Sequence, residues 1–373
     1  MQRFSIALVV LIFSSLSLQA QRPSPFDAWD KDKNGKVSIE EMPEPIRKNF
    51  KFVDRDEDGF ISREEDEAFR SRSGMGKAKK KDQGKSQDVT AIRDIDYAGK
   101  GNPIQALDLF LPKGHGEDSE PLPLIVFIHG GGWANGDKAS GGNRLSEWVK
   151  EGKFAAASIN YRLSGEAQWP AQIHDCKAAI RWLRANADGH GIDPDRIGVW
   201  GSSAGGHLVA MLGVTGDVGE LDGEVGNHVG ISSEVTCVVN FYGPSELLTM
   251  SEHPGKFDHD APGSPESRLV GGPLQENPDI AKNASPIHWV SGADQPSLIV
   301  HGTKDEVVPY PQSVDLEKAL EEAGVPTIFL SVEGGGHGRG FGPTVQEAVV
   351  EFLNHHLLGE AMTLEDKTVA AGE

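Results

Sequence analysis

Residues 196–207 read RIGVWGSSAGGH, and this stretch decides the fold class of the chain. An apolar run ends at Trp200, a segment rich in Ala and Gly follows, and Ser203 has glycines two positions before and two after it. Glycines at these positions let the chain turn sharply from a strand into a helix and expose the serine hydroxyl at the helix N-terminus. Ser202 is out of register with this turn, so we interpret it as structural. The pattern predicts a strand, a nucleophilic Ser203 and a helix in direct succession.

A second glycine-rich turn, HGGGW at 129–133, directly follows the apolar segment LIVFI. Consecutive glycines allow backbone N–H groups to face the oxyanion of an acyl-transfer intermediate. We expect Gly131 and Gly132 to be two such donors, joined by the N–H of Ala204 after the nucleophile. The histidine that opens the turn is interpreted as an anchor of the loop rather than a catalytic base. Trp133 is a candidate substrate-binding residue in the pocket wall, with simple packing as the alternative.

Two further polar residues follow later apolar segments in the order that a serine triad requires. Asp305 lies just after the segment 298–301, within the pattern HGTKDEVVP, where Glu306 competes for the role of orienting acid. The surrounding pattern favours Asp305. His337 lies in the glycine loop EGGGHG after the segment 328–332 and is the candidate general base. The order Ser, Asp, His is that of a nucleophile-elbow hydrolase.

The pattern around these motifs predicts one large α/β domain at residues 91–358. Short apolar runs alternate with longer amphipathic stretches, which is typical of a mostly parallel sheet with helices on both faces. Insertions rich in Gly, Pro, Asp and Ser, at 213–233 and 251–290, interrupt this rhythm, and such insertions commonly overhang an active site. Residues 359–373 are interpreted as a C-terminal tail. The expected strands are 124–129, 154–160, 197–200, 235–241, 298–301 and 328–332, and the expected helices are 171–186, 204–212, 314–323 and 345–357.

These segments together resemble the α/β-hydrolase superfamily, in particular its hormone-sensitive-lipase-like and carbohydrate-esterase branches. The resemblance covers residues 91–357 and extends beyond the two glycine turns to NYRL at 160–163, DCKAAIRWLR at 175–184 and FYGPSEL at 241–247. In these segments the chain is similar to bacterial feruloyl and acetyl-xylan esterases.

The resemblance implies an α/β-hydrolase fold and a serine carboxylesterase that deacylates acetylated or feruloylated carbohydrate through an acyl-enzyme. It implies that Ser203 is the nucleophile, Asp305 the orienting acid and His337 the base, and that the chemistry needs no metal. It also implies that Asp175 and Arg162 are structural and could form a buried ion pair. Members of the lipase branch usually carry Asp immediately before the nucleophile. This chain has serine there, which favours carbohydrate over lipid substrates.

Two acidic twelve-residue segments near the N-terminus match the calcium loop of an EF-hand. Each has oxygen-bearing side chains at positions 1, 3, 5 and 9, glycine at position 6 and glutamate at position 12. Position 7 would contribute only its backbone carbonyl. Because calcium prefers many hard oxygen ligands, the two loops predict two calcium sites. The candidate ligands are Asp30, Asp32, Asn34, Lys36, Ser38 and Glu41 in the first loop, and Asp54, Asp56, Asp58, Phe60, Ser62 and Glu65 in the second.

The residues around these loops predict a structural calcium module rather than a sensor. Val37 and Ile61, at position 8 of each loop, are expected to pair as a short two-stranded link. Prolines on both sides of the first loop shorten or crowd the flanking helices, which argues against a calmodulin-like opening groove. We expect weak affinity, with a Kd of about 10⁻⁴ M or higher, as in extracellular modules.

Composition divides the rest of the chain and excludes some classes of partner. Residues 1–20 combine a basic start with a short apolar run, which is typical of a signal peptide, so we expect export to the periplasm or the extracellular space. Residues 21–70 hold the EF-hand pair, and the Lys-rich segment 71–90 is interpreted as a flexible linker. The charges of these three segments sum to +1, so residues 91–373 carry −21 and account for the formal net charge of −20. This acidity argues against nucleic-acid and anionic-membrane partners and favours a small-molecule or glycan ester.

Several questions stay open from the sequence. Cys176 and Cys237 are both expected in buried positions, so two free thiols are favoured over a bridge, although export would permit one. A peptidase or formamidase of the same fold is one alternative to a carbohydrate esterase. A calcium-dependent scaffold with an inactive hydrolase domain is another. The sequence does not indicate the acyl group, the sugar or the oligomeric state.

Overall fold

We describe the protein from a computed structural model, in which the chain divides into two compact units, Met1–Lys85 and Ser86–Glu373. The expected signal peptide at 1–20, the linker residues 71–87 and the candidate ligand Asp56 lie outside the described residues. The structure describes residues 26, 29–42, 47, 50–54, 58–63, 65, 88–253 and 255–373.

The N-terminal unit contains a short two-stranded link between its acidic loops. Strand β1 (Lys36–Val37) pairs antiparallel with β2 (Ile61–Ser62), and Val37 lies opposite Ile61, which confirms the expected pairing. The single-turn helix α1 (Phe50–Val53) lies between them in the chain. Apolar side chains form a small buried cluster, whose members are Phe26, Val37, Met42, Phe50, Val53 and Ile61.

The larger unit contains, within the described residues, a nine-stranded sheet. Its strands are β3 (Val89–Asp96), β4 (Ala106–Pro112), β5 (Leu122–Ile128), β6 (Ala155–Ile159), β7 (Ile192–Ser202), β8 (Cys237–Phe241), β9 (Ser297–Gly302), β10 (Thr327–Glu333) and β11 (Lys367–Ala370). Their order is β11-β10-β9-β8-β7-β5-β6-β4-β3. Only the pairs β3–β4 and β4–β6 are antiparallel among these strands. The α/β class with a mostly parallel sheet is therefore confirmed.

Helices cover both faces of this sheet. They are α2 (Gly142–Lys150), α3 (Ala171–Ala185), α4 (Ala187–His190), α5 (Ala204–Val214), α6 (Pro265–Val270), α7 (Pro278–Asn283), α8 (Pro311–Glu322) and α9 (Pro343–Leu358). Helices α3, α5 and α8 pack on one face, and α2 and α9 pack on the other. Because both faces are covered, the central strands are apolar on both sides, and every residue of β6 and β8 is buried.

The edges of the sheet differ from the sequence prediction. Strands β3 and β4 are not among the expected strands, and β3 (VTAIRDID) is charged and half exposed, so it lacks the pattern of a buried strand. Residues 359–373, interpreted as a tail, contain β11, which pairs parallel with β10. Its four residues are too few to show an alternating pattern. Helix α2 is also additional, and β7 begins at Ile192 rather than at 197.

The two insertions are held by different parts of the domain. Segment 213–233 is fixed by basic side chains of α3. Lys177 pairs with Asp222 at 2.8 Å, and Arg181 donates to the Asp222 carbonyl at 2.7 Å. Segment 251–290 contains α6 and α7 and lies against the loops that carry the site. The second insertion is therefore the one with contacts to the candidate active site.

Cys176 and Cys237 are both buried free thiols, as the sequence favours. Among the described helices, none combines the length and the apolar character that crossing a membrane would need.

Candidate active site and calcium loops

Ser203 stands at the sharp turn between β7 and α5. Its backbone has φ +55° and ψ −125°, a strained conformation that serine rarely adopts. The Ser203 N–H donates to the Phe241 carbonyl at 2.9 Å, which fixes the turn to the neighbouring strand. A Cβ on Gly201 would lie 2.2 Å from the Gly205 carbonyl oxygen, and one on Gly205 would lie 2.1 Å from the Ile128 carbonyl oxygen. Only glycine fits at these two positions, so the GxSxG pattern is what permits the turn.

His337 contacts both Ser203 and Asp305. Its Nε2 lies 3.0 Å from Ser203 Oγ, and its Nδ1 lies 2.7 Å from Asp305 Oδ2. Because an ionised carboxylate can only accept, Nδ1 carries the proton and donates to Asp305, which leaves Nε2 to accept from the serine hydroxyl. Gly302, at the end of β9, allows the loop of His337 to approach closely, since a Cβ on Gly302 would lie 2.5 Å from the Gly335 backbone. The structure thus brings together the three residues that the sequence proposes as a triad.

Asp305 is a buried carboxylate just beyond β9, with its side chain 0% exposed. Its Oδ1 accepts from the N–H groups of Val307 and Val308 at 2.8 and 3.0 Å, and its Oδ2 lies 3.4 Å from His301 Nε2. Burial alone would raise the pKa of Asp305. Hydrogen bonds from His301, His337 and the Val307 N–H outweigh burial and hold this pKa well below the usual carboxyl range. Asp305 is therefore ionised at neutral and mildly acidic pH.

Glu306, the competing acid, forms a surface ion pair instead. Its side chain is 57% exposed, and its Oε2 lies 2.7 Å from Lys256 Nζ. The hydrogen bond from Lys256 lowers the pKa of Glu306. Asp305 rather than Glu306 therefore faces the imidazole, as the HGTKDEVVP pattern favours.

The glycine turn after β5 presents backbone N–H groups beside Ser203. Gly131 and Gly132 have φ of +117° and +58°, which favours glycine at both positions. A Cβ on Gly130 would lie 3.3 Å from Ser203 Cβ, so this turn meets the nucleophile turn. No described residue accepts a hydrogen bond from the Gly131 or Gly132 N–H. Ala204 is the first residue of α5, at the positive end of the helix dipole. The expected oxyanion donors therefore lie on two adjoining turns.

Trp133 is buried rather than exposed in a pocket wall, which corrects its assignment as a substrate-binding residue. It is 1% exposed, and its Nε1–H donates to His207 Nδ1 at 3.1 Å. His207 Nε2–H donates in turn to the Ala284 carbonyl at 2.6 Å. Burial lowers the pKa of His207 to about 4, so this ring is neutral. Trp133 therefore acts in packing, where it connects the glycine turn with α5 and with the insertion 251–290.

Two structural interpretations from the sequence are confirmed. His129 is buried, its Nδ1–H donates to the Gly130 carbonyl at 2.8 Å, and its ring stacks on Tyr161 with a centroid distance of 4.4 Å. Arg162 donates through Nε and through a terminal nitrogen to the two Asp175 oxygens, both at 2.8 Å. Both groups hold the framework around the site and do not contact the triad.

Sequence reasoning missed two residues beside the triad. The ring of Tyr242 lies 4.7 Å from that of His337, centroid to centroid, and burial raises the pKa of its hydroxyl. The Nε2 atom of His301 lies 3.4 Å from Asp305 Oδ2, the oxygen that also faces His337. Both belong to quoted segments, FYGPSEL and HGTKDEVVP. Their contacts depend on how separate loops meet, which no local spacing encodes.

The first acidic loop brings several carboxylates together. Oxygen atoms of Asp30, Asp32 and Glu41 lie within 4.8 Å of one another, and Gly35 makes the turn with φ +84°. Glu41 Oε2 accepts from the Ser38 N–H at 2.8 Å and from its hydroxyl at 2.9 Å, and these bonds lower the pKa of Glu41. The donor set is one of hard carboxylate oxygens, which fits calcium.

Lys36 connects the two loops. Its N–H donates to Asn34 Oδ1 at 2.8 Å, and its Nζ lies 2.7 Å from Asp58 Oδ2. The hydrogen bond from Lys36 lowers the pKa of Asp58. The side chain of Lys36 is thus a partner of the second loop, and only its carbonyl remains a candidate ligand of the first.

The second loop repeats the contacts of the first. Glu65 Oε2 accepts from the Ser62 N–H at 2.9 Å and from its hydroxyl at 2.8 Å, and Gly59 has φ +85°. The Phe60 ring is exposed, which leaves its carbonyl as the only candidate ligand atom of that residue. Asp54 Oδ1 is buried and has no hydrogen-bond partner among the described residues. An orphaned buried carboxylate oxygen at position 1 fits a cation site.

Known proteins match this chain mainly over the larger unit. The family model described as BD-FAE matches residues 107–320, and the model described as EF hand matches residues 46–65. Esterase LipC of Mycobacterium tuberculosis is 30% identical over 269 residues, which cover 68% of this chain and 62% of that protein. The chain therefore spans less than two thirds of the length of this relative.

Two solved structures are similar over the same region. A truncated form of a carbohydrate esterase from gut microbiota is 36% identical with a TM-score of 0.67, and the match covers 74% of this chain and 98% of that chain. A bifunctional GH43-CE protein of Bacteroides eggerthii is 33% identical with a TM-score of 0.66, and the match covers 72% of this chain and 35% of that chain. The BD-FAE model spans more than half of the chain. With its nucleophile turn, its mostly parallel sheet and this match, the chain belongs to the BD-FAE family of the α/β-hydrolase fold.

Proposed function

We propose that the larger unit is a serine carboxylesterase. The observation that carries this proposal is the hydrogen-bonded series from Ser203 Oγ through His337 to Asp305, beside the glycine turn after β5. A nucleophile, a base, an orienting acid and backbone donors in this arrangement are the parts of an acyl-transfer site. Its curated relative LipC is named an esterase, which supports the same reaction class.

In the proposed reaction, Ser203 Oγ attacks the ester carbonyl carbon while His337 Nε2 takes the hydroxyl proton. The N–H groups of Gly131, Gly132 and Ala204 hold the resulting oxyanion, and losing one such donor typically costs about 10²–10³ in rate. The C–O bond to the alcohol then breaks, and His337 protonates the leaving oxygen. Water, deprotonated by His337, attacks the acyl carbon next, and Ser203 regains its proton as the carboxylic acid leaves.

We propose acylated carbohydrate, acetylated or feruloylated, as the substrate class. A similar structure at 36% identity is a carbohydrate esterase, which supports this choice. The negative charge of residues 91–373 disfavours polyanionic polymers and suits neutral acylated glycans. A peptidase or formamidase would use the same triad on an amide, so substrate comparison has to separate these activities. The intact hydrogen bonding of the triad argues against an inactive scaffold.

Hydrolysis of p-nitrophenyl acetate by the full-length chain tests the reaction. Ser203→Ala is expected to lower kcat by about 10⁴-fold or more. Ser202→Ala, which removes the adjacent hydroxyl, is the matched control and should retain most of the turnover. Turnover that survives in Ser203→Ala would disprove the assignment. Acetylated and feruloylated xylo-oligosaccharides, tributyrin and aminoacyl amides then compare substrate classes, and a higher kcat/KM on the amides would replace the carbohydrate proposal.

We propose that the two acidic loops of the N-terminal unit bind calcium in a structural role. The proposal is supported by the carboxylate cluster of the first loop, the unpartnered Asp54 oxygen of the second and the EF-hand match at 46–65. Asp30, Asp32, Asn34, Ser38 and Glu41 would hold one ion. Calcium would supply charge neutralisation to these carboxylates, and no step of the ester hydrolysis passes through it. Calorimetric titration of the full-length chain with calcium is the test.

We also propose that residues 1–20 direct export and are then removed. The basic start and the short apolar run support this, and the proposed weak calcium loops suit a compartment with abundant calcium. N-terminal sequencing of the protein recovered from the cell envelope or medium tests it. A chain that still begins at Met1 would contradict the proposal.

A further inference from the structure

A buried charged pair lies in the insertion 251–290, outside the triad. His259 and Glu266 are each 4% exposed, and His259 Nδ1 lies 3.1 Å from Glu266 Oε1. Glu266 lies in the first turn of α6, which is capped by Ser264. Both ring nitrogens of His259, the second Glu266 oxygen and Ser267 Oγ are buried, and none of them forms a hydrogen bond with a described residue. Burying polar groups without hydrogen bonds costs free energy. A loop that only connects two elements at the surface does not need to bury them.

This pair lies between the two loops that carry the catalytic groups. On one side, the Lys256 N–H, three residues before His259, donates to the Glu306 carbonyl at 2.8 Å, while the Val307 N–H donates to Asp305 Oδ1 at 2.8 Å. On the other side, Pro265 directly precedes Glu266 in the chain and lies against the oxyanion turn. A Cβ placed on Gly132 would be only 3.1 Å from Pro265 Cβ. Short stretches of the insertion therefore connect the pair with the acid loop and with the oxyanion turn.

The surroundings of His259 favour its charged form. Burial acts to lower the pKa of His259, but the neighbouring Glu266 carboxylate and the charge of Asp260 raise it overall. On the neighbouring loop, Asp305 is engaged with His337, and Glu306 forms its ion pair with Lys256 at the surface. A buried ion pair adds little net stability over apolar side chains, although removing one partner leaves an uncompensated charge. Its effect is therefore expected on the geometry of the loops it touches.

We infer that the His259–Glu266 pair is a positioning element that holds the 305–308 loop, and with it Asp305, at hydrogen-bonding distance from His337. This inference rests on the proposed esterase function. The pair contacts neither the nucleophile nor the reacting ester, and it acts through the backbone hydrogen bond from Lys256 to Glu306. When the pair is broken, Asp305 moves away from its alignment with His337 and kcat falls. Binding of a small ester depends on the nucleophile and oxyanion turns, so KM changes little.

Substitutions of Glu266 in the full-length chain test this inference. Glu266→Ala removes the side chain, and Glu266→Gln keeps its size without the charge. Glu276→Ala, at an exposed position of the same insertion, is the matched control. We expect Glu266→Ala to lower kcat on p-nitrophenyl acetate by about 10-fold or more, with KM within about two-fold, because small misplacements of catalytic groups are costly. Hydrogen–deuterium exchange should accelerate at 302–310 and stay unchanged in the rest of the larger unit.

A kcat within about two-fold of that of Glu276→Ala would overturn the inference. Faster exchange spread evenly over the larger unit would overturn it as well, because that indicates general loss of stability. If Glu266→Ala does not fold, Glu266→Gln gives the same two readouts. If the wild type does not hydrolyse the ester, or Ser203→Ala still does, the esterase proposal fails. Exchange at 302–310 decides the positioning inference independently of that outcome.

Discussion

Asp305 receives two backbone N–H groups on one oxygen and faces His337 with the other. In Asp305→Asn the amide oxygen is expected to keep the two backbone bonds, which turns the NH₂ group towards His337 Nδ1. The imidazole must then accept at Nδ1 and carry its proton on Nε2, where it can no longer take the proton of Ser203. We expect kcat on p-nitrophenyl acetate to fall by about 10⁴-fold while KM stays nearly constant.

The neighbouring acid provides the control for this substitution. Glu306 is exposed and pairs with Lys256, so Glu306→Gln should leave kcat within about two-fold of the wild type. If Asp305→Asn retained more than about a tenth of the wild-type kcat, Asp305 would not be the orienting acid.

The buried ring of His207 should make the stability of the larger unit depend on pH. Burial lowers the pKa of His207 from 6.5 to about 4. Between these pH values the unfolded chain binds a proton at His207 and the folded protein does not. Above pH 6.5 the free energy of unfolding is therefore not lowered by this residue. It falls as the pH is lowered from 6.5 towards 4, by roughly 3 kcal/mol in total. His207→Gln keeps an acceptor for Trp133 and a donor for the Ala284 carbonyl but does not titrate.

Denaturant unfolding of the wild type and His207→Gln, followed by tryptophan fluorescence, measures this effect. The larger unit holds six of the seven tryptophans, so the signal reports on it. The free energy of unfolding of the wild type is expected to fall more steeply between pH 6.5 and 4 than that of the variant. A difference between the two proteins that stays constant over this range would contradict a neutral buried His207.

The glycine turn after β5 has no room for a side chain at Gly131. A Cβ on Gly131 would lie 2.3 Å from the Asn135 carbonyl oxygen, and its φ of +117° already disfavours other residues. Gly131→Ala should therefore displace the turn and lower kcat by about 10²–10³, the usual cost of losing an oxyanion donor. Gly114 has φ +79° with open space around it, so Gly114→Ala imposes similar backbone strain away from the site. Equal kcat values for the two variants would show that the turn is not part of the catalytic machinery.

The turns were the most predictable elements because each is forced by local chemistry. Ser203 adopts a strained conformation that its neighbouring glycines make possible, and glycines also allow the approach of Gly335 to Gly302 beside His337. Central strands are equally readable, since a strand covered on both faces must be continuously apolar. These signals are contained within a few consecutive residues, so the fold class and the candidate triad follow from them.

Other features depend on contacts between distant segments and could not be read in this way. Strand β3 is charged because it lies at the sheet edge, and β11 is identified only by its pairing with β10. Trp133 follows a catalytic turn in sequence, yet its side chain points into the core towards His207. Neither the His259–Glu266 pair nor the packing of Tyr242 on His337 has a periodic or spacing signal.

On the scale of the whole molecule, the two units separate two kinds of carboxylate chemistry. In the N-terminal unit, carboxylates of the first acidic loop lie close together. A bound cation would reduce the repulsion between them. In the larger unit Asp305 is buried, and its ionised form is stabilised by hydrogen-bond donors of the same unit. Hydrolysis as proposed uses only groups of the larger unit, so removing calcium should affect stability without affecting kcat.

This separation is measurable in the full-length chain. With a Kd of about 10⁻⁴ M, calcium at about 100 times that concentration should stabilise the N-terminal unit by about 2.7 kcal/mol. EDTA should therefore lower the unfolding temperature of that unit while kcat on p-nitrophenyl acetate stays within about two-fold. The double variant Glu41→Gln and Glu65→Gln should lose the calcium response, because the position-12 carboxylates supply two oxygens each. Glu40→Gln, at an exposed non-ligand position, should retain it. A calcium response that persists in the double variant would contradict the loop assignment, and loss of kcat in EDTA would show that calcium reaches the catalytic unit.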